Sequence, residues 1–333
     1  MRQWILYVDE SGLFEAPKLP FSPNFVGGVL VDVTDVQADL AVLKRGLLEC
    51  FPFLPWPLHA TICRQPAAHV AGSMLNPAVG PPWMKRLHAA VERRSTPALK
   101  DLHLAVERRE IPDQAILVKA TEALVAEAPA LVRMVREQML LGERRLSTRL
   151  AHVARLLGDS LLVSGAAGES STSYSVILTA AIRSSLRLIR RRLGPQPAFR
   201  LTVASRGNSN GEDLSDDDVM ACASEAMRMT FPFREPRSPD IEIASDLPKP
   251  MNESTSPWLV VADFACNRLF SELGRDQGFP DLERHASLKL GLPLRGRPEW
   301  ASRPLPSIDF EGEVARSWVS EQRLEWEQAR SAL

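Results

Sequence analysis

The sequence is poor in cysteine and has no long apolar run. Its four cysteines lie far apart without a Cys-x-x-Cys pair, which fits neither a disulfide framework nor a thiolate zinc site, so a reducing compartment is expected. No apolar stretch approaches the ~18 residues that a membrane span needs, so no membrane partner is expected. The chain reaches two carboxylates after five apolar residues, which predicts no signal peptide and a cytoplasmic protein.

The composition is that of a globular protein with an uneven charge distribution. The 333 residues are 45% hydrophobic and 24% charged, which excludes wholesale disorder and a fibrous repeat and suffices for one large or two medium domains. Residues 133–192 carry eleven basic and four acidic side chains despite a net charge of −1 for the whole chain. Of the 40 basic residues 33 are arginine, whose guanidinium binds phosphate and carboxylate alike, although codon composition alone would also produce this bias.

Predicted strands and helices alternate along the chain. Continuous apolar runs predict buried strands at 4–8 and 25–33, and alternating patterns predict strands at 199–204 and 240–245. Helical spacing predicts helices at 36–51, 174–193, 214–229, 256–270 and 310–329, and several helices within 84–158 broken at Pro97, Pro112 and Pro129. This order predicts an α/β fold with a central sheet flanked by helices.

The sequence leaves the role of one glycine-containing segment open and argues against phosphate binding by another. Gly27-Gly28 lies inside the second strand, where it indicates either close approach of another group or a bulge. Residues 164–173 are small and polar, but they lack the Gly-Lys-Ser/Thr ending of a phosphate-binding loop, so we predict a flexible loop.

Carboxylates occur where burial is expected to be costly. Asp9 and Glu10 end the most apolar strand, and unpartnered charges at low dielectric are penalised by several kcal/mol, which a divalent cation or an arginine would offset. Asp263 lies in an apolar helix, with Asn267 one turn further along the same face. A lone aspartate there favours a salt bridge, whereas a second carboxylate at the first strand favours a shared metal site.

Three short motifs carry a family resemblance: Tyr-Val-Asp-Glu-Ser-Gly at 7–12, Leu-His-Ala at 58–60 and Val-Ala-Asp-Phe-Ala at 261–265. They resemble the bacterial family called domain of unknown function 3800, which is similar to ribonuclease H-like nucleases. The resemblance implies a discontinuous core at 1–83 and 158–270 around a mixed sheet, with a helical insertion at 84–157. Residues 271–333 are then a proline-rich segment and a C-terminal helix.

The resemblance also implies roles for individual residues. Asp9 and Asp263 match the metal ligands of the first strand and the late helix, and Glu10 is either a second ligand or a salt-bridge partner. His59 matches a family histidine, as a proton shuttle or outer-shell group, unless it is a satisfied structural residue. The chain lacks the aspartate that many members have at the end of the strand at 199–204, so Asp246 or the acidic cluster at 213–218 is the candidate third ligand.

These residues predict a nuclease that hydrolyses phosphodiester bonds with Mg²⁺ or Mn²⁺ by a two-metal mechanism. Arginines of two helical segments are expected to hold the nucleic-acid backbone, unless they are a solvated helix face or pair with the acidic segment. They are Arg183, Arg187, Arg190 and Arg191 of one helix, with Arg144, Arg145 and Arg149 before it. A site with too few ligands would instead be a degenerate module that binds nucleic acid, a protein partner or a second copy, with defence against phage as one context. A hydrolase of another phosphate ester is the third hypothesis.

Overall fold

The computed structural model describes residues 3–11, 24–34, 40–78, 80–168, 173–190, 198–204, 215–231, 240–244 and 256–273. The chain divides into two compact units. The first, which we call the sheet unit, comprises Met1–Gln37, Leu150–Asp246 and Val261–Leu333. The second, the helical unit, comprises Ala38–Arg149 and Leu247–Val260.

One mixed sheet forms the framework of the sheet unit. Its strands are β1 (Gln3–Ser11), β2 (Asn24–Asp32), β3 (Leu161–Gly168), β4 (Ala198–Ala204) and β5 (Asp240–Ala244), in the spatial order β3-β2-β1-β4-β5. β2 is antiparallel to β1 and β3, whereas β4 is parallel to β1 and β5 is parallel to β4. The predicted α/β class with a central mixed sheet is confirmed, and β1 is the middle strand of these five.

β3 corrects one prediction from the sequence. The sequence predicts a loop over 164–173, but Leu161–Gly168 pairs along its length with β2, so the prediction is wrong for 164–168. Gly165 lies opposite Gly27, and a Cβ on Gly27 would stand 2.7 Å from the Gly165 Cα atom. The register of β2 with both neighbours is uninterrupted. Gly27 therefore marks a close approach of the β2 and β3 backbones and not a bulge.

Among the described residues, seven helices lie wholly or mostly in the helical unit, and the last of them extends beyond it. They are α1 (Leu40–Leu48), α2 (Ala60–Cys63), α3 (Pro66–Leu75), α4 (Met84–Glu92), α5 (Pro97–Glu107), α6 (Gln114–Glu127) and α7 (Pro129–Leu157), with α7 counted in this unit as far as Arg149. The predicted breaks at prolines are confirmed. Thr96 Oγ1 accepts the Leu99 N–H at 3.4 Å to start α5, and Asp113 Oδ1 accepts the Ile116 N–H at 2.9 Å to start α6.

Three further helices follow β3. They are α8 (Tyr174–Ile189), α9 (Asp216–Thr230) and α10 (Pro257–Leu273). A reciprocal capping box starts α9, because Ser215 Oγ accepts the Asp218 N–H at 3.2 Å and the Asp218 carboxylate accepts the Ser215 N–H at 3.0 Å. The pKa of Asp218 is lowered first by a hydrogen bond that its carboxylate accepts from Ser215 Oγ at 2.7 Å, and then by the bond from the Ser215 N–H. Proline at the first position of α10 follows Ser256, as the sequence predicts.

The core of the sheet unit lies between the sheet and α8 with α9. Trp4, Leu6 and Val8 of β1 belong to one buried cluster with residues of β2, β3, β4, α8 and α9. The intervening residues Ile5 and Tyr7 are buried as well, so β1 is covered on both faces, as its continuous apolar run predicts.

The unit boundary differs from the predicted domain boundary. The sequence predicts that the helical insertion begins at residue 84, whereas the helical unit begins at Ala38. The reason is packing: α3 contacts α4, α5 and α6, and so belongs to the same compact body. The predicted helix at 310–329 lies outside the described residues. Within the described part of the chain, no helix has the length and apolarity to cross a membrane.

Candidate functional site

Asp9 lies at the carboxyl end of the central strand. β1 pairs with β4 as far as Val8, so Asp9 is one residue beyond the last parallel pair. Its side chain is only 4% exposed, and its Oδ1 atom accepts the Glu10 N–H at 2.7 Å. Successive residues of a strand point to opposite faces of the sheet, so the side chains of Asp9 and Glu10 lie on opposite faces. Glu10 is half-buried.

α10 carries the second buried carboxylate. Asp263 is also 4% exposed, and Cys266 and Asn267, three and four residues further along, are buried with it. Residues at these spacings share one face of a helix. That face is therefore polar within a helix whose other described side chains from Trp258 to Ala265 are apolar and buried.

A hydrogen bond joins α10 to the end of β1. Cys266 Sγ donates to the main-chain oxygen of Asp9 at 3.4 Å, between residues 257 positions apart. The pKa of the Cys266 thiol is raised well above its usual value, first by burial and then by the negative charges of Asp9, Asp263 and Glu10. The same thiol therefore lies close to the acidic groups of both elements, which brings the two predicted metal ligands into one neighbourhood.

A glycine on β2 permits this approach of α10. A Cβ on Gly28 would stand 3.0 Å from the Cβ of Ala262, which precedes Asp263, and would overlap the main-chain oxygen of Tyr7. A larger residue at this position would force the neighbouring backbone to shift. Gly28 is thus the point of β2 at which the late helix comes close to the sheet.

The chemistry of the two carboxylates fits a hard divalent cation. Mg²⁺ is commonly held by one or two carboxylates together with water and substrate phosphate oxygens, and carboxylates also suit Mn²⁺. Asp9 and Asp263 supply two such groups, and the protonated Cys266 thiol is a poor competitor for a hard ion. Among the described residues, however, no group of three or more His, Cys, Asp or Glu side chains is arranged to hold a metal. Asp246, the predicted third ligand, lies outside the described residues, as does Asp213 of the cluster at 213–218. Asp217 and Asp218 of that cluster are exposed at the start of α9.

His59 belongs to the helical unit, whereas Asp9, Glu10 and Asp263 belong to the sheet unit. It precedes α2 in an extended conformation, as the proline-rich segment before it predicts. Its Nδ1 atom shares a hydrogen bond with Thr61 Oγ1 at 2.8 Å. This contact gives His59 a local structural role, and its catalytic role stays a prediction.

The predicted arginine stripe on α8 is largely enclosed. Arg183 and Arg187 are half-buried, and Arg183 Nε and Arg187 Nη1 are inaccessible to solvent. Arg190 is exposed at the end of the helix, and Arg191 lies outside the described residues. α8 packs on β2, β3 and α9, which leaves it little free surface. The sequence alone could not separate a solvated stripe from one enclosed by neighbouring elements.

Cys266 is the site residue that the sequence interpretation missed. Its position three residues after Asp263 was the available signal, but a single buried cysteine usually behaves as a small apolar residue. The contact with Asp9 is visible only in the tertiary structure.

No protein family, curated protein or solved structure was found to match the chain. The resemblance to the domain of unknown function 3800 family therefore stays a prediction, carried by the three motifs.

Proposed function

We propose that the sheet unit is ribonuclease H-like and that the protein is a Mg²⁺- or Mn²⁺-dependent nuclease. Within that class, we propose membership of the domain of unknown function 3800 family. The observation that carries the proposal is the bond from Cys266 Sγ to the Asp9 oxygen, which links the late helix to the end of the first strand. That pairing of elements is the one from which such nucleases draw their acidic ligands.

The topology gives further support to this proposal. β1 is the middle of the five described strands, and its carboxyl end carries a buried aspartate. The sheet is mixed: of the five described strands, β2 is the one that runs in the opposite direction, antiparallel to its neighbours β1 and β3. Two buried carboxylates near one thiol supply oxygen ligands of the kind that a divalent cation binds.

In this proposal Asp9 and Asp263 hold the metal, and Asp246 is the candidate third ligand. A bound pair of ions would activate the attacking water and stabilise the departing oxygen of a phosphodiester. Glu10 would tune the local charge. The Cys266 hydrogen bond would fix the distance between strand end and helix, so that both carboxylates can reach the same substrate phosphate.

A cleavage assay tests the proposal with labelled single-stranded and double-stranded DNA, RNA and a DNA–RNA hybrid, in Mg²⁺ or Mn²⁺. We expect cleavage by the wild type and a loss of about 100-fold or more in Asp9→Asn and Asp263→Asn, because each variant removes a charged ligand but keeps its shape. Asp101→Asn, an exposed aspartate on α5, is the matched control and should cleave like the wild type. An inactive wild type, or an Asp9→Asn variant of full activity, rules the nuclease out.

A second candidate function is a catalytically degenerate module that binds nucleic acid or a protein on the same scaffold. The observation in its favour is that the described residues offer no three-ligand metal group. Titration calorimetry with Mn²⁺ separates the two candidates. A competent site binds Mn²⁺ and loses affinity in Asp263→Asn, whereas a degenerate module gives the same negligible heat in both proteins.

A further inference from the structure

The exposed surface of α7 carries several arginines: Arg133 and Arg144 lie in line opposite the packing face, and Arg136 and Arg145 lie on its two flanks. Val135, Gly142 and Leu146 are buried on one side of this helix. Four arginines are exposed within the part of α7 that belongs to the helical unit: Arg133, Arg136, Arg144 and Arg145. They span 13 residues, with about 18 Å of helix axis between the first and the last. Glu137 is the exposed acidic residue in the same stretch.

These four guanidinium groups are not used in internal pairing. In the part of the chain that the structure describes, none of them forms a hydrogen bond or ion pair through its side chain. Other arginines of this unit do pair: Arg149 Nη2 lies 2.8 Å from Glu49 Oε2, and Arg64 Nε lies 3.3 Å from Glu143 Oε1. The exposed acid Glu137 offsets one of the four positive charges, so this surface keeps a net positive charge.

The composition of α7 favours contact with a phosphate backbone over contact with bases. Single-stranded binding without sequence preference relies on aromatic side chains that stack on bases, and α7 contains no Phe, Tyr or Trp. Guanidinium groups instead make forked hydrogen bonds to phosphate oxygens. Such contacts bind any sequence and weaken steeply as salt rises.

We propose that this arginine-bearing surface of α7 is a docking surface for the sugar-phosphate backbone of nucleic acid. The inference deepens the proposed function and rests on it for the identity of the polyanion. Of the two arginine-bearing segments that the sequence predicts for this role, it favours α7, which lies outside the motifs that carry the family resemblance, over α8, whose arginines are mostly enclosed.

Fluorescence anisotropy of the full chain with labelled 20-base-pair DNA, in EDTA, tests the proposal. The test variant replaces the four α7 arginines by glutamine. The control variant changes the net charge equally at four exposed positions of the same unit: Arg86, Arg93, Lys100 and Arg108, each to glutamine. Thermal unfolding of both variants verifies folding, and polyglutamate of similar charge is a second probe.

We expect the α7 variant to lose at least about tenfold in DNA affinity near 50 mM salt, with the slope of log K against log salt reduced by about three to four. The control variant should change affinity less than about twofold. Equal losses in both variants, no loss in the α7 variant, or tighter binding of polyglutamate than of DNA would each overturn the proposal. Because binding is measured without divalent metal, it can persist when cleavage fails, and cleavage can persist when this surface fails.

Discussion

At the scale of single residues, His69 is the most unusual titratable group of the helical unit. It is buried between Phe51 and Phe53, with ring centroids 6.3 and 6.4 Å away, and its Nε2–H donates to the Cys63 carbonyl at 2.8 Å. The Nδ1 atom is buried and has no hydrogen-bond partner in the described part of the chain. Burial lowers the pKa of His69 to about 4, against the weaker opposing effect of the Cys63 hydrogen bond. The neutral ring is therefore the folded form.

This depressed pKa predicts acid sensitivity. Above pH 6.5 the ring is neutral in the folded and unfolded states and adds no pH dependence. As pH falls from 6.5 to about 4, the unfolded state takes up a proton that the folded state refuses, so stability falls by about 3 kcal/mol. Urea unfolding at several pH values should show this loss in the wild type, and a smaller loss in His69→Gln, which keeps a donor but does not titrate.

The control for this measurement is His152→Gln, an exposed histidine on α7. It should reproduce the wild-type pH dependence. If His69→Gln also reproduces it, the neutral buried state of His69 is not what makes the protein acid-sensitive.

At the scale of elements, glycines in two helices face different kinds of neighbour. A Cβ on Gly142 of α7 would stand 2.6 Å from the Cys50 main-chain oxygen and 2.8 Å from the Phe51 ring. A Cβ on Gly46 of α1 would meet the side chain of Arg149, with its Nη1 at 2.5 Å. Backbone cannot give way cheaply, whereas a long side chain can rotate. The close packing of α7 on the turn after α1 therefore depends on Gly142.

This difference predicts a larger departure from helix propensity at Gly142 than at Gly46. Alanine is preferred to glycine inside a helix by about 1 kcal/mol. We expect Gly142→Ala nevertheless to destabilise the protein by about 1–3 kcal/mol, because overpacking against fixed atoms costs more than the propensity gains. Gly46→Ala should lie close to the wild type in urea unfolding. A Gly142→Ala variant more stable than the wild type would show that α7 can shift away from the turn.

At the scale of the whole molecule, the two units differ in how far apart their contacting residues lie in the sequence. Neighbouring helices from α3 to α6 pack on one another within a continuous part of the chain. In the sheet unit, Trp4 of β1 pairs with Phe199 of β4, and the Ala38–Arg149 segment of the helical unit lies between the two strands in the sequence. Contacts of long sequence separation carry a larger loop-closure cost and form more slowly.

This difference predicts the order of folding. In pulsed hydrogen exchange during refolding, we expect amides of α4, α5 and α6 to gain protection before those of β4. β1 and β2 are close to each other in the sequence, so their antiparallel pair serves as the reference for a local contact within the same sheet. Protection that appears at the same time in β4 and in α5 would contradict the prediction.

Local chemistry made several elements predictable. Ser215 and the acidic residues after it indicated the start of α9, Ser256-Pro257 indicated the start of α10, and prolines marked the breaks between α4, α5, α6 and α7. The continuous apolar run of β1 indicated a strand covered on both faces. In each case the signal depends on the backbone and side chain of a few neighbouring residues, so no distant contact was needed to read it.

The sequence by itself determined the α/β class, the helix boundaries set by caps and prolines, and the positions of the acidic residues. Only the tertiary structure decided that the small residues at 164–168 form a strand, because that strand depends on a close approach of Gly165 to Gly27, which is far away in the sequence. It also decided that Cys266 joins the late helix to Asp9, and that Arg183 and Arg187 are half-buried while the α7 arginines are exposed. Burial and contact between distant residues depend on what packs against each face, and a local pattern does not contain that information.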